Sequence, residues 1–157
     1  MSLIWGLVAL FAAAVAATWG VRAARRALAG GLIGEISETL SLLETHNIEA
    51  ALAHCGEGGM APSLPALPTL SYRADAGWMA LLGVHPARLS ASFYASAQAL
   101  QDELRGLSSE MAEAKRTERA TSASQELQRT FALGDETLRS LRDVVSRRRR
   151  CGLISRA

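Results

Sequence analysis

The sequence predicts an all-α protein, with one N-terminal transmembrane helix followed by a helical hairpin or small bundle that includes a long helix. The N-terminus carries a long apolar run without charges. The rest of the chain repeats apolar residues at intervals of three and four, as one face of a helix does. No stretch alternates apolar and polar residues as a half-buried strand does. The length of 157 residues suits one small domain with an appendage.

The apolar run over residues 3–21 reads LIWGLVALFAAAVAATWGV and contains 19 residues without a charge. As a helix it is about 28 Å long, close to the hydrocarbon thickness of a bilayer. Trp5 and Trp19 lie near its two ends, where membrane interfaces favour aromatic rings. A cleaved signal peptide is one alternative, but the basic residues that precede its apolar core are missing here. A buried soluble helix is another, although this run is apolar on all faces. We therefore predict a membrane anchor over residues 1–29.

Arg22, Arg25 and Arg26 follow the apolar run directly. Cytoplasmic flanks of membrane spans carry an excess of basic residues. We therefore expect a protein that crosses the membrane once, with its N-terminus outside and its C-terminal region in the cytoplasm. Membrane lipid is an expected partner. The alanine-rich run can also pack against another membrane helix, so we consider a homo-oligomer as well.

Residues 30–54 are predicted to form an amphipathic helix, because Ile33, Ile36, Leu40 and Leu43 recur at helical spacing. Asn47 continues this stripe and can set the register of a coiled coil, whereas the pair His46–Asn47 can instead mark a break. Three glycines at positions 30, 31 and 34 predict a bend just after the anchor.

Residues 55–70, CGEGGMAPSLPALPTL, form a predicted linker or crossing loop, because their glycines and prolines stop a helix. Leu64, Leu67 and Leu70 suggest that this segment lies on an apolar surface.

Residues 71–146 contain the predicted hairpin and long helix. Helix is expected to resume near Ser71 and to stop at Gly83. A stripe from Leu89 to Ala114 then predicts a helix of at least seven turns, with Pro86 in its first turn. The predicted core consists of Ile36, Leu40, Leu43, Trp78, Leu82, Leu89, Phe93, Leu100 and Leu104.

Residues 112–126 contain no large aliphatic residue and no phenylalanine, so a helix there would run through solvent or fray. Leu127, Phe131 and Leu133 restart the apolar stripe. Gly134 is predicted to interrupt it, and Asp135 to cap a last helix.

Charge is unevenly distributed: the net charge is +3 over residues 22–26, −7 over residues 27–138 and +6 over residues 139–157. The tail, residues 147–157, begins with four consecutive arginines. Contact with anionic lipid would contribute about 1 kcal/mol for each basic residue. A solvated tail that suits a helix C-terminus is the alternative. Nucleic acid is disfavoured, because no aromatic stacking platform accompanies the block. The candidate lipid or partner contacts are Arg147, Arg148, Arg149 and Arg150.

No residue set matches a catalytic or metal-binding template, so the sequence predicts no cofactor, no metal and no enzyme. His54 and Cys55 are adjacent and lack metal-ligand spacing. A cytoplasmic location would keep Cys55 and Cys151 reduced. Three glycines at positions 56, 58 and 59 follow a helix and lack the Gly-Lys-Ser/Thr of a phosphate loop. The potential metal ligands in the middle of the chain are His46, His54, Cys55 and His85.

The order of segments resembles that of small, uncharacterised bacterial single-span membrane proteins over residues 3–105. The resemblance rests on the helix beginning Glu35–Ile36, the segment LPALPT at 64–69, Trp78 and the pair Phe93–Tyr94. It implies the architecture without an activity. The use of 16 arginines against one lysine is typical of a GC-rich bacterial genome. The bacterial inner membrane is therefore the expected location.

Three function hypotheses follow. The first is a non-enzymatic membrane-anchored scaffold or adaptor, whose cytoplasmic helical tail contacts a partner protein or a membrane complex. The second is an exported, envelope-bridging protein similar in outline to phage spanins, which the arginines after the apolar run disfavour. The third is a thiol- or metal-responsive membrane sensor that uses His54, Cys55 and Cys151.

Overall fold

The computed structural model describes residues 2–55, 59, 61–62, 67–69, 72–73, 76–107 and 113–146, and for residues 2–12, 76 and 114 it describes the backbone alone. Every regular element in these ranges is helical, which confirms the all-α prediction. The elements are α1 (Ser2–Thr45), α2 (Ile48–Cys55), a 3-10 helix (Ala76–Leu82), α3 (Val84–Leu107) and α4 (Glu113–Ser146).

Helix α1 is continuous over 44 residues and joins the predicted anchor to the predicted amphipathic helix. The helix is not interrupted at Gly30, Gly31 or Gly34, near which the sequence predicted a bend. Helix α1 instead ends at Thr45, and Asn47 adopts a left-handed conformation with φ of 47°. The Asn47 amide donates a hydrogen bond to the Glu44 carbonyl, as a helix-terminating residue does. Of the two interpretations of Asn47, the break is therefore the one that the structure shows.

Contacts between the helices define the direction of each. Phe93 lies beside Gly134, Ser96 bonds Thr130, and Glu103 bonds Arg119, so α3 and α4 are antiparallel. Glu35 of α1 meets Tyr94 of α3, and Arg25 of α1 meets Leu82 just before α3. Helices α1 and α3 therefore run in the same direction, which requires the chain between them to cross back along the bundle.

The described part of the crossing segment lies against the helices, as the sequence predicted. Residues 67–69 line a groove with α3, and Ala61 packs against the core. The other residues of this predicted loop, 56–58, 60, 63–66 and 70, lie outside the described residues.

Helix α4 is the central element, because it contacts α1, α2 and α3. Its buried stripe has a spacing of three and four and is made mostly of small or polar residues. The stripe consists of Ala120, Ala123, Leu127, Thr130, Gly134, Thr137 and Leu141. Small residues allow helices to approach closely. A helix whose buried stripe holds few large apolar residues therefore still builds the core.

Two predictions about this part of the chain are wrong. The long helix does not continue to Ala114, because α3 ends at Leu107 and α4 begins at Glu113 on an antiparallel course. Glu113 lies in the first turn of α4, where an acidic residue stabilises the helix. Gly134 and Asp135 do not start a new helix, since α4 passes through both without interruption. Tertiary packing at Gly134 outweighs its poor helix propensity.

The core has two clusters along the bundle axis. One surrounds Ile36, Phe93 and Leu138, and the other surrounds Leu43, Leu104 and Leu127. The structure confirms eight of the nine predicted core residues as buried and contradicts one of them, Trp78.

Trp78 is 59% exposed because the segment 76–82 forms a 3-10 helix. With three residues per turn, residues separated by three positions share a face. Met79 and Leu82 therefore face the core together, and Trp78 lies on another face. Gly83 follows with φ of 92°, and its amide bonds the Ala80 carbonyl, so it ends this helix as predicted.

Among the described residues, no helix has an apolar stretch that is long enough to cross a membrane. Residues 3–12 of the predicted span lie outside those whose side chains are described.

We expect Gly134→Ala to destabilise the bundle. A Cβ atom at this position would lie 2.9 Å from both methyl carbons of Leu40 and 3.2 Å from the Phe93 ring. Overpacking of this kind costs about 1 to 3 kcal/mol and the helix-propensity gain is about 1 kcal/mol, so we expect a net loss of up to about 2 kcal/mol. Thermal unfolding of the full chain in detergent micelles, followed by circular dichroism, measures the change.

Gly34→Ala is the matched control. Gly34 is an exposed residue inside α1, and a Cβ atom there has no neighbour within 4 Å. We expect this variant to be more stable by about 0.5 to 1 kcal/mol. Equal midpoints for the two variants would contradict the close approach at Gly134.

Candidate functional site

The N-terminal half of α1 projects beyond the bundle. Residues 13–24 are all exposed, and contact with the core begins at Leu28 and Ala29. Trp19 is 57% exposed and Val21 is 53% exposed. Apolar side chains in this number are costly to leave in water, at roughly 25 cal/mol per Å². Residues 13–21 of this half of α1 are therefore an exposed surface without charge. Trp5, at the other end of the run, has a side chain outside the described residues.

The three arginines after the apolar run differ in their surroundings. Arg22 is exposed, and Arg26 is partly buried. Arg25 donates a hydrogen bond of 2.8 Å from Nη2 to the carbonyl oxygen of Leu82, the last residue of the 3-10 helix. A cation at a helix C-terminus is favourable, because the terminal carbonyl groups there accept hydrogen bonds. Arg25 therefore ties the apolar half of α1 to the connection before α3.

The end of the bundle from which α1 projects carries the other large exposed apolar residues. Trp78, Val84 and Val145 are 59%, 87% and 40% exposed. We call this region, residues 22–33, 76–91 and 138–146, the basic end. Its ionisable groups are those of Arg22, Arg25, Arg26, His85, Arg88, Arg139, Arg142 and Asp143.

The described residues of the bundle outside this region, from residue 34 onwards, form the acidic end, which has eleven acidic and six basic residues. The fold thus brings together two basic segments that are more than a hundred residues apart in sequence. The four arginines at 147–150 continue the chain from Ser146, and they lie outside the described residues.

A buried carboxylate lies between α1 and α3. Glu35 is only 9% exposed, and its Oε2 accepts a hydrogen bond of 2.8 Å from the Tyr94 hydroxyl. The Tyr72 amide donates a longer bond of 3.4 Å to the same oxygen. The Tyr72 and Tyr94 rings are stacked with centroids 4.2 Å apart, and Phe93 meets Tyr94 edge to face. This cluster joins α1, α3 and Tyr72, which lies between the predicted loop and the 3-10 helix.

Burial raises the pKa of Tyr94 far above its ordinary value of about 10. The hydrogen bond to Glu35 and the negative charge of Glu35 raise this pKa further. A phenolate beside a buried carboxylate would place two like charges in contact. Tyr94 therefore remains a proton donor to Glu35 through the physiological pH range.

A groove of about 510 Å³ opens beside this cluster, between α3 and the crossing segment. Its polar groups can donate hydrogen bonds to an anionic or amide group, although Arg105 already pairs with Asp102 at 3.6 Å. The polar side chains that line it are Thr39, Thr69, Tyr72, Arg73, Tyr94, Gln98, Gln101 and Arg105.

The thiol and imidazole groups considered in the sequence do not converge. Cys55 is fully buried in the core cluster of α2, α3 and α4. His54 is exposed and bonds the Ala50 carbonyl of its own helix. Among the described residues, no three potential ligands of the His, Cys, Asp and Glu types lie close enough to hold a metal ion. Cys151 lies outside the described residues.

Sequence reasoning missed the pairing of Glu35 with Tyr94 and the exposure of Trp78 and Val84. Glu35 belongs to the buried stripe of α1, since it lies three and four residues from Leu32 and Thr39. An acidic residue on such a stripe indicates that a buried hydrogen-bond partner exists. It does not identify that partner. No protein-family model, curated protein or solved structure matches this chain.

We expect the stability of the protein to fall above about pH 10, where an unfolded tyrosine loses its proton. The raised pKa of Tyr94 means that the folded state holds this proton while the unfolded state releases it. The stabilisation that comes from the raised pKa of Tyr94 is complete below the pKa of an unfolded tyrosine. Above that pKa, the free energy of unfolding falls by about 1.4 kcal/mol per pH unit. Denaturant unfolding at a series of alkaline pH values measures the slope.

Tyr94→Phe should reduce this alkaline slope, because the titrating group is gone. Glu35→Gln should keep this slope just above pH 10 but lose it at a lower pH than the wild type, because it removes the charge but leaves burial, which is the largest cause of the shift. A wild-type slope equal to that of Tyr94→Phe would contradict the assignment.

Proposed function

We propose that this chain is a single-pass membrane protein whose helical bundle is a non-enzymatic scaffold or adaptor at the membrane surface. One observation carries the proposal. Helix α1 is a single helix that contributes Leu28, Leu32 and Ile36 to the core and extends beyond the bundle through the exposed, uncharged residues 13–21. A bilayer would cover this extension.

The length of the extension suits a bilayer better than a small partner. Residues 3–21 rise about 28 Å as a helix, and the hydrocarbon layer is about 30 Å thick. Trp19 and Arg22 come at the end of this run, in the order expected at a membrane interface. Because α1 has no break before Thr45, the bundle is held in a fixed direction relative to the proposed span.

A non-enzymatic role is supported by the hydrogen bonds that polar side chains make with one another. Tyr94 bonds Glu35, Arg119 bonds Glu103, and Ser96 bonds both Glu126 and Thr130. These bonds join neighbouring helices, so the groups stabilise the fold. In this proposal the acidic end points away from the membrane and is the surface offered to a protein partner.

We expect Val15→Arg to release the protein from the membrane fraction. Val15 is an exposed residue of the proposed span, and an arginine at the centre of a span costs about 2.5 to 3.5 kcal/mol on insertion scales. Extraction of membranes at alkaline pH separates inserted from released protein, and an immunoblot quantifies each fraction.

Ser41→Arg is the matched control, because Ser41 is exposed on the same helix within the bundle. We expect it to stay in the membrane fraction with the wild type. Wild-type protein in the soluble fraction would contradict the proposal outright.

The proposed orientation places the N-terminus outside and the C-terminal region in the cytoplasm of a bacterium, on the basis of Arg22, Arg25 and Arg26. A C-terminal fusion to a protein that fluoresces only in the cytoplasm should fluoresce. A matching fusion to a phosphatase that is active only outside should be inactive. The reverse result would reject this orientation and favour the envelope-bridging alternative.

A further inference from the structure

We infer that the basic end of the bundle is a second membrane contact, which rests on the anionic headgroups of the same bilayer that α1 enters. This inference depends on the proposed function, and it adds a surface, a lipid class and an orientation to it. Three features of the basic end carry it: its distance from the proposed span, its charge and its exposed apolar residues.

The first feature is distance. Arg25 binds the Leu82 carbonyl and lies four residues after Val21, the end of the apolar run, which is about 6 Å along the helix. Each headgroup layer of a bilayer is about 5 to 7 Å thick. With α1 crossing upright, the connection between the 3-10 helix and α3 lies at headgroup depth.

Helix α4 ends about 6 Å farther from the proposed span than this connection, outside the headgroup layer but within a Debye length of about 8 Å from it. Gly134 lies beside Leu40, and α4 runs antiparallel to α1, so the eleven residues from Gly134 to Val145 return to the level of Ala29. This level is about 12 Å from Val21. The chain leaves α4 there and enters the four arginines of the tail.

The second feature is charge. Six arginines and one aspartate make up the charged groups of the basic end, and the rest of the described residues have a net charge of −5. Arg88 on α3 and Arg142 on α4 are exposed there, so the charge comes from all three long helices. A basic residue near an anionic leaflet contributes about 1 kcal/mol, whereas the acidic end would be repelled.

The third feature is apolar exposure. Among the described residues of the bundle, Trp78 and Val84 are the most exposed large apolar residues, and Val84 adjoins the connection that Arg25 holds, while Trp78 belongs to the 3-10 helix that leads to it. Tryptophan is enriched at membrane interfaces, where its ring is half in contact with hydrocarbon. Lipid therefore explains their exposure and the surrounding arginines together, whereas an acidic soluble partner explains only the charge.

The test uses the full chain reconstituted into vesicles, with Trp78 as its only tryptophan through Trp5→Phe and Trp19→Phe. Lipids brominated near the headgroup quench a tryptophan that lies at the interface. We expect strong quenching of Trp78 in vesicles that contain phosphatidylglycerol, and weaker quenching in phosphatidylcholine alone. The depth control carries Trp78→Phe and Ala99→Trp on the same background. Ala99 is exposed on α3, fifteen residues beyond Val84 or about 22 Å, so its tryptophan should not be quenched.

A pair of charge reversals tests the arginines. Arg88→Glu with Arg142→Glu should lower the quenching of Trp78 towards that of the depth control. Lys115→Glu with Arg129→Glu makes the same change in net charge with exposed residues of the acidic end, and it should leave the quenching unchanged.

Extraction at alkaline pH, applied to every variant, distinguishes a failure of the proposed anchor from a failure of the second contact. Inserted protein with unquenched Trp78 would overturn the second contact and leave the proposed anchor standing. Equal quenching of Trp78 and the depth control would overturn it too, because the bundle would then lie on its side. Equal quenching of Trp78 in both lipid mixtures would overturn the role of anionic lipid. Wild-type protein that fails to insert would overturn the proposed function and the second contact together.

Discussion

The bundle depends on the close approach of α4 to its neighbours. The stripe from Ala120 to Leu141 places alanine, threonine and glycine where a typical core helix has leucine. At Gly134 the side chains of Leu40 and Phe93 occupy the space that a Cβ atom would fill. Only with α4 this close can one polar helix pack against α1, α2 and α3 together, and hence close the core.

This packing determines which ends of the chain meet. Because α4 runs antiparallel to α1, its C-terminus returns to the level at which α1 leaves the bundle. Because α1 and α3 are parallel, the start of α3 reaches the same level. Basic residues from three distant parts of the sequence thus lie around one helix. The charge asymmetry that we assign to membrane contact is a product of helix direction.

The Glu35–Tyr94 bond has a complementary role. Large apolar residues pack in several ways, whereas a buried carboxylate needs its donor at one place. The bond of 2.8 Å sets α1 and α3 in register. The Tyr72 ring stacks on the Tyr94 ring and so holds the chain before the 3-10 helix against α3. Arg25 makes a second polar link, from α1 to the Leu82 carbonyl just before α3. Together they hold the basic end at a defined distance from the apolar half of α1.

Much of the fold was predictable because it is encoded locally. The apolar stripes of α1 and α3 identified seven core residues, and Asn47 and Gly83 marked two helix ends through their backbone preferences. The apolar run and its arginines were also visible, since they are contiguous. The sequence analysis did not identify the buried stripe of α4, because this stripe has a regular spacing but contains few large side chains.

The sequence by itself determined the helical class, the apolar faces, the apolar run and the two basic segments, because each is a property of neighbours along the chain. Tertiary structure alone decided that Gly134 is a contact and not a break, since burial of a small residue depends on how near its partner comes. It also decided that Trp78 is exposed, because a 3-10 helix turns it away from Leu82. Helix direction then brought the basic segments together, and no local sequence pattern indicates the relative direction of two helices.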